Sequence, residues 1–402
     1  MNEQKLKQLY SEVCNELKNN ILPYWINGMQ DQFNGGFYGQ IDGKNKLHPK
    51  ANKGGILNAR ILWTFSSAYR VLKDPIYLQA AQRAKEYISK YFIDPKFGGT
   101  YWLLTYQGEP CDTKKQIYAI AFTIYGLSEY YRACGDEEAL NQAKALFYMV
   151  EKYSFDSLQN GYFEAYSREW ILLDDLRLSD KDANEKKTMN THLHILEAYT
   201  NLYRVWKDKI LERQLTNLIL VFLDKIIDPS TNHQNLFFDQ NWKSKHQIVS
   251  YGHDIEAAWL IDEAAKILGD KELLSRVHSA CLKLADAARE GLQADGSLIY
   301  ELNKTTNHRD TDRHWWVQAE AILGLLNAFE LTGQSNYLEE ALKTWQYTKK
   351  YLIDHKNGEW HWSIAQDGTI NTKDDKAGAW KCPYHNGRMC LEIIERFSNY
   401  SI

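Results

Sequence analysis

A chain of 402 residues, 44% hydrophobic and 25% charged, has the composition of a soluble globular protein. Its formal net charge of −4 offers no basic surface, so nucleic acid and an anionic membrane are not expected as partners. Cys14, Cys111, Cys134, Cys281, Cys382 and Cys390 are scattered, without CxxC or zinc-type spacing, and are expected as reduced thiols of a cytoplasmic protein.

The N-terminal stretch MNEQKLKQLYSEVCNELKNN reads as a charged amphipathic helix rather than a signal peptide. After it, Gly-plus-aromatic clusters recur along the chain: NGGFYG from Asn34, FGGTYW from Phe97, NGYFEAY from Asn160, NLFFD from Asn235, DGSLIYE from Asp295 and NGEWHW from Asn357. The step is about 60 residues, a period that signals a repeat architecture. The fourth copy lacks its glycine and is the weakest.

A second landmark alternates with the first: KDPIYL at 73, GDEEAL at 135, KDKIL at 207, GDKELL at 269 and GQSNYL at 333. Gly135 and Gly269 suit the left-handed residue that ends a helix, and Asp136 and Asp270 suit the N-cap of the next. Asp74 with Pro75 is an N-cap followed by proline at the first helical position. Helical apolar stripes run between the landmarks, over 53–70, 113–133, 188–206, 255–268, 313–330 and 384–397. Each unit is therefore helix, tight turn, helix, then an aromatic loop. Six such pairs can bury their apolar faces only by stacking and closing, which predicts an all-α, single-domain (α/α)6 barrel over 1–402 with six inner and six outer helices.

Polar residues interrupt the stripes on the even-numbered helices alone. Arg60 falls in the second, Tyr118 in the fourth, Asn190 and His194 in the sixth, His253 and Glu256 in the eighth, Trp316 and Glu320 in the tenth, and His385 at the start of the twelfth. One end of an inner ring would collect them into an aromatic-lined small-molecule site. Taken singly, each has a blander reading. His194 can be a satisfied core histidine, Trp316 core packing, and Glu320 one half of a buried ion pair with Arg60 or Arg388. A metal is not expected: HExxH is absent, and His192 and His194 point about 200° apart on a helix.

Five segments, KGGILNARILWTFSSAY, KTMNTHLHILEAY, SYGHDIEAAWL, RHWWVQAEAI and WKCPYHNGRMC, resemble the motif set of the cellobiose 2-epimerases within the N-acylglucosamine 2-epimerase superfamily. The resemblance spans the chain and implies the (α/α)6 barrel together with cofactor-free inversion at C2 of the reducing-end glucose of a β-1,4-linked disaccharide. It implies His253 and His385 as the acid/base pair, with Glu256 orienting His253, Arg60 beside the reacting oxygens and His194 in ring opening. Asn190, Tyr118, Trp316, Trp380, Trp259 and Glu320 complete the sugar site.

The chemistry requires such groups. C2–H is acidic only in the open chain, so the ring must open. A base then forms an enediol whose oxyanion an arginine can stabilise, and a second acid must reprotonate the other face. A monomer acting on a small disaccharide is expected, with N-acylglucosamine epimerisation and mannose-type aldose–ketose isomerisation as near alternatives. An (α/α)6 glycoside hydrolase using Glu256 and Glu320, or a non-catalytic sugar binder, is more remote.

Overall fold

Short helix–helix turns set the architecture. The computed structural model describes residues 2–400, and twelve helices organise these described residues. Helix α1 runs Asn2–Glu16, passes through a π turn at Leu17–Ile21 and continues over Leu22–Met29. The others are α2 (Gly55–Leu72), α3 (Pro75–Tyr87), α4 (Ile117–Cys134), α5 (Glu137–Tyr153), α6 (Met189–Val205), α7 (Lys209–Val221), α8 (Tyr251–Leu268), α9 (Lys271–Ala288), α10 (Trp315–Thr332), α11 (Ser335–Tyr347) and α12 (His385–Arg396). Gly135 and Gly269 end α4 and α8 in the left-handed region, at φ 77° and 79°. Asp74, Asp136 and Asp270 then cap α3, α5 and α9 with their side chains.

Even-numbered helices pack on one another in the order α2, α4, α6, α8, α10, α12, and α12 returns to α2, so the inner ring is closed. Every residue of α2 from Gly55 to Ala68 is buried, as is every residue of α4 from Ile117 to Tyr130. An inner helix faces the axis on one side and an outer helix on the other, so its sequence is apolar nearly all round. The two-layered barrel anticipated from the repeat is the observed fold. No helix among the described residues is long and apolar enough to cross a membrane.

The six aromatic clusters form six equivalent turns at the end where the inner helices begin. A backbone bridge closes each one: Gln30 with Phe37, Ile93 with Thr100, Phe155 with Tyr162, Ile227 with Gln234, Leu292 with Leu298, and Ile353 with Trp360. The fourth, which has no glycine, places Asn232 at φ 59° instead. In four of the turns an aspartate on the turn meets a lysine leading into the following inner helix: Asp31–Lys53, Asp94–Lys115, Asp156–Lys187 and Asp354–Lys376, all at 2.8–2.9 Å and buried. These pairs anchor the loop layer that frames the mouth of the barrel.

The opposite end is closed by charge. Arg70 of α2 bonds Glu395 of α12 and Glu129 of α4, and Arg132 of α4 reaches Asn201 of α6. Arg204 of α6 pairs with Glu263 of α8, Asp262 of α8 accepts from Asn327 of α10, and Arg396 of α12 pairs with Glu330 of α10. All six inner helices are thus linked in one circuit around a polar cavity of about 180 Å³.

Candidate active site

The candidate site at the loop end is built from the first halves of the inner helices. His253 lies in the first turn of α8 and His385 opens α12, while Trp316 in the first turn of α10 stands between them. The Trp316 ring centroid is 4.8 Å from that of His253 and 5.5 Å from that of His385. Across the pocket, Arg60 Nη2 donates to the Tyr118 hydroxyl at 2.8 Å, and its guanidinium lies over Phe122 and Tyr384. The His194 ring packs edge-on against Tyr118 at 4.9 Å. Trp380, half-buried in the loop before α12, stands 6.1 Å from both Tyr118 and Trp102. Asn190 has a buried Oδ1 without a protein partner, an acceptor left for a ligand hydroxyl. The expected residues therefore come together, with two differences.

Glu256 does not orient His253. Three-residue spacing puts two side chains on one face of a helix without making them touch. Here His253 Nδ1 lies 2.8 Å from the Ser250 hydroxyl, whereas Glu256 accepts from Arg388 Nη2 at 2.8 Å and sits 3.9 Å from His385 Nδ1. The carboxylate that meets His385 is Glu320, whose Oε1 is 2.7 Å from its Nδ1. The contacts of Trp259 likewise lie within the charged cluster. Its indole N–H bonds Glu320 Oε2 at 2.9 Å, and its ring lies between the guanidinium groups of Arg388 and Arg396. It supports the floor.

That floor is an ion cluster which sequence reasoning missed. Arg388 is fully buried and bonds Glu256, Glu320 (2.6 Å) and Glu197 at once. Glu197 also accepts from the Tyr384 hydroxyl and meets His194 Nδ1 at 2.9 Å. The spacing His194–Glu197, three residues apart on α6, was a usable signal. Sequence alone offers Arg388 only as a mate for Glu320. Although no ligand spacing suggested a metal, the fold brings Glu256, Glu320 and His385 within 4.8 Å of one another from three helices. The Arg388 guanidinium lies against both carboxylates of that group and supplies a cation there.

Electrostatics divide the site. Desolvation favours the neutral form of all three imidazoles: His253 is lowered to about 3, and His194 and His385 are also lowered, with Arg60 and Arg388 adding to the effect on these two and Glu197 opposing it at His194. Burial raises Glu256 and Glu320, and the charge of Glu320 raises Glu256 further; Arg388 only partly offsets this. Burial would also raise Glu197, but Arg388 together with the hydrogen bonds from His194 and Tyr384 lowers it to about 2. A single arginine therefore faces one firmly ionised carboxylate and two that retain a proton between them.

Two neutral imidazoles facing each other across an aromatic wall, with an arginine opposite, form a site for proton transfer at a carbon flanked by oxygens. The chain belongs to the N-acylglucosamine 2-epimerase (GlcNAc 2-epimerase) family, whose model matches residues 36–387, and it is a carbohydrate epimerase of the isomerase class. Among its relatives it is 58% identical to a cellobiose 2-epimerase of Bacteroides fragilis, over 96% of this chain and 98% of that one. It is 42% identical to a cellobiose 2-epimerase of Ruminococcus albus, over 96% and 99%. The structure of a cellobiose 2-epimerase from Bacillus thermoamylovorans superposes with a TM-score of 0.93 at 43% identity, covering 97% of this chain and 99% of that one.

Proposed function

We propose that the protein epimerises C2 of the reducing-end glucose of β-1,4-linked disaccharides, converting cellobiose to glucosylmannose and lactose to epilactose, without a cofactor. The observation that carries this reading is the pair of imidazoles, His253 and His385, flanking Trp316 opposite Arg60, with desolvation favouring the neutral form of each. Inversion needs proton removal on one face of C2 and delivery on the other. His253 has no carboxylate at its Nδ1, only Ser250, so a neutral ring with a lone pair on Nε2 serves as base. His385 has Glu320 at its Nδ1. When the proton retained by the carboxylate pair sits on Glu320, it enters Nδ1 as the Nε2 proton of His385 passes to C2. The imidazole then remains neutral throughout. In the reverse direction the same relay runs backwards. Arg60 holds the enediol oxygens, and a fixed cation in a dry pocket stabilises charge that develops there. Glu256 and Glu320 share one guanidinium nitrogen beneath the pocket, so they do not flank a glycosidic bond as a hydrolase requires.

Incubation with cellobiose in D2O tests the reading. Glucosylmannose carrying deuterium at C2 is the expected product. Recovery of unchanged cellobiose, a ketose or free monosaccharides would each replace it with another activity, and an epimer that fully retains its C2 hydrogen would remove the two-histidine mechanism.

A further inference from the structure

Every cyclic sugar must open before C2 becomes acidic, and this step calls for a group that takes a proton from O1 and returns one to the ring oxygen O5. His194 is placed for it on α6, packed against Tyr118 and Phe122. One of its two nitrogens is already committed: Nδ1 lies 2.9 Å from Glu197 Oε2. The other oxygen of that carboxylate accepts from the Tyr384 hydroxyl and from Arg388 Nη1. Both oxygens are thus engaged by donors, and the carboxylate cannot rotate away from the imidazole. Neither Glu256 nor Glu320 contacts His194; both belong to the His385 side of the floor.

Resting on the epimerase reading, we infer that Glu197 is the positioning residue of the ring-opening step, holding His194 as the Nδ1–H tautomer and stabilising the imidazolium that forms there. The step balances. Nε2 takes the O1 proton, the O1–H electrons form the C1=O1 bond, the C1–O5 bond breaks with its electrons on O5, and the imidazolium returns the proton to O5. The ring ends neutral. Glu197 never touches the sugar. Its charge is kept by Arg388, whose guanidinium burial would lower but the surrounding carboxylates raise well above its usual range, and its low pKa leaves it ionised while His194 cycles. The floor then contains two separate carboxylate–histidine pairs: Glu197–His194 for ring opening and Glu320–His385 for C2.

The test compares cellobiose with cellobiose deuterated at C2 of the reducing glucose, using the wild type and Glu197→Gln. The amide preserves a hydrogen-bonding partner but cannot stabilise an imidazolium. Turnover should fall by at least about 10²-fold. Ring opening then limits the rate, so the C2 deuterium isotope effect should drop below that of the wild type. Affinity for the borohydride-reduced, open-chain disaccharide, which needs no ring opening, should be retained. Because Glu197 also anchors Arg388, the same comparison is made with Glu197→Asp, which keeps the charge but withdraws it from Nδ1. An isotope effect equal to or above the wild-type value in an active variant overturns the inference, since a general disturbance of the floor would slow C2 chemistry at least as much. A wild type that forms no epimer would instead overturn the underlying activity.

Discussion

Replacing Arg388 by methionine removes the one cation on which three buried carboxylates depend. The guanidinium lies 2.8 Å from Glu256 and 2.6 Å from Glu320, and it also bonds Glu197. Charges about 4 Å apart in an effective dielectric of about 20 attract by ~4 kcal/mol each. The full sum is not lost, because Glu256 and Glu320 are already raised by burial and protonate when the arginine goes. What remains is one uncompensated buried charge, a loss of about 3–5 kcal/mol. The sign of the pH dependence follows from linkage. A carboxyl whose folded pKa lies above its unfolded value binds more protons in the native state, so stability falls as pH rises from about 4.3 toward the folded pKa. Without Arg388 those folded pKa values rise further and the penalty extends upward in pH. Urea unfolding of Arg388→Met should therefore show the full loss at pH 8 and a smaller one near pH 5. A variant as stable as the wild type at pH 8, or a loss independent of pH, would refute this account of the floor.

Losing either His253 or His385, as asparagine, should lower the rate at least ~10²-fold, the scale of a general acid or base. Trp380→Ala should weaken turnover of cellobiose far more than any residual action on glucose, because the half-buried ring stands at the mouth beside Trp102, where a second sugar would stack; equal losses on both sugars would make it structural. Dialysis against EDTA should leave the rate unchanged, since the Arg388 guanidinium already lies against both carboxylates of the Glu256–Glu320–His385 group; activity lost and then restored by a divalent ion would contradict this.

Much of the barrel was legible because its turns are written in local chemistry. Asp74, Asp136 and Asp270 cap helices, Gly135 and Gly269 end them, and these positions needed no tertiary information. The buried Lys53–Asp31 pair and its equivalents were not legible. A lysine before a helix reads as solvated, and only the closed loop layer reveals that it is enclosed. The same limit explains the site. Helical period places His253 and Glu256 on one face, but which of them meets Ser250 and which meets Arg388 depends on where α12 crosses the floor. Arg388 is legible from sequence only as one of two candidate mates for Glu320, and its simultaneous bonds to Glu197 and Glu256 emerge when the ring closes around it. Trp259 was drawn into the sugar site by its motif, although it packs beneath Glu320.

The polarity of the inner ring accounts for which end carries the chemistry. Tight turns and aromatic loops alternate strictly, so the six inner helices all start at the loop end and finish at the charged end. Helix N-termini carry partial positive charge, and C-termini partial negative charge. At the finishing end, Arg70, Arg132, Arg204 and Arg396 sit in the last turns of α2, α4, α6 and α12, and each is matched to a glutamate. That end is laced by ion pairs. At the starting end, His253 and His385 occupy the first turns of α8 and α12, where the dipole opposes a proton on the imidazole and so favours the neutral base. The same field, added to Arg60, favours the negative charge of an enediolate. A reaction that needs neutral bases and a developing oxyanion is served by the N-terminal end of such a ring, and the opposite end, with its paired arginines, could supply neither.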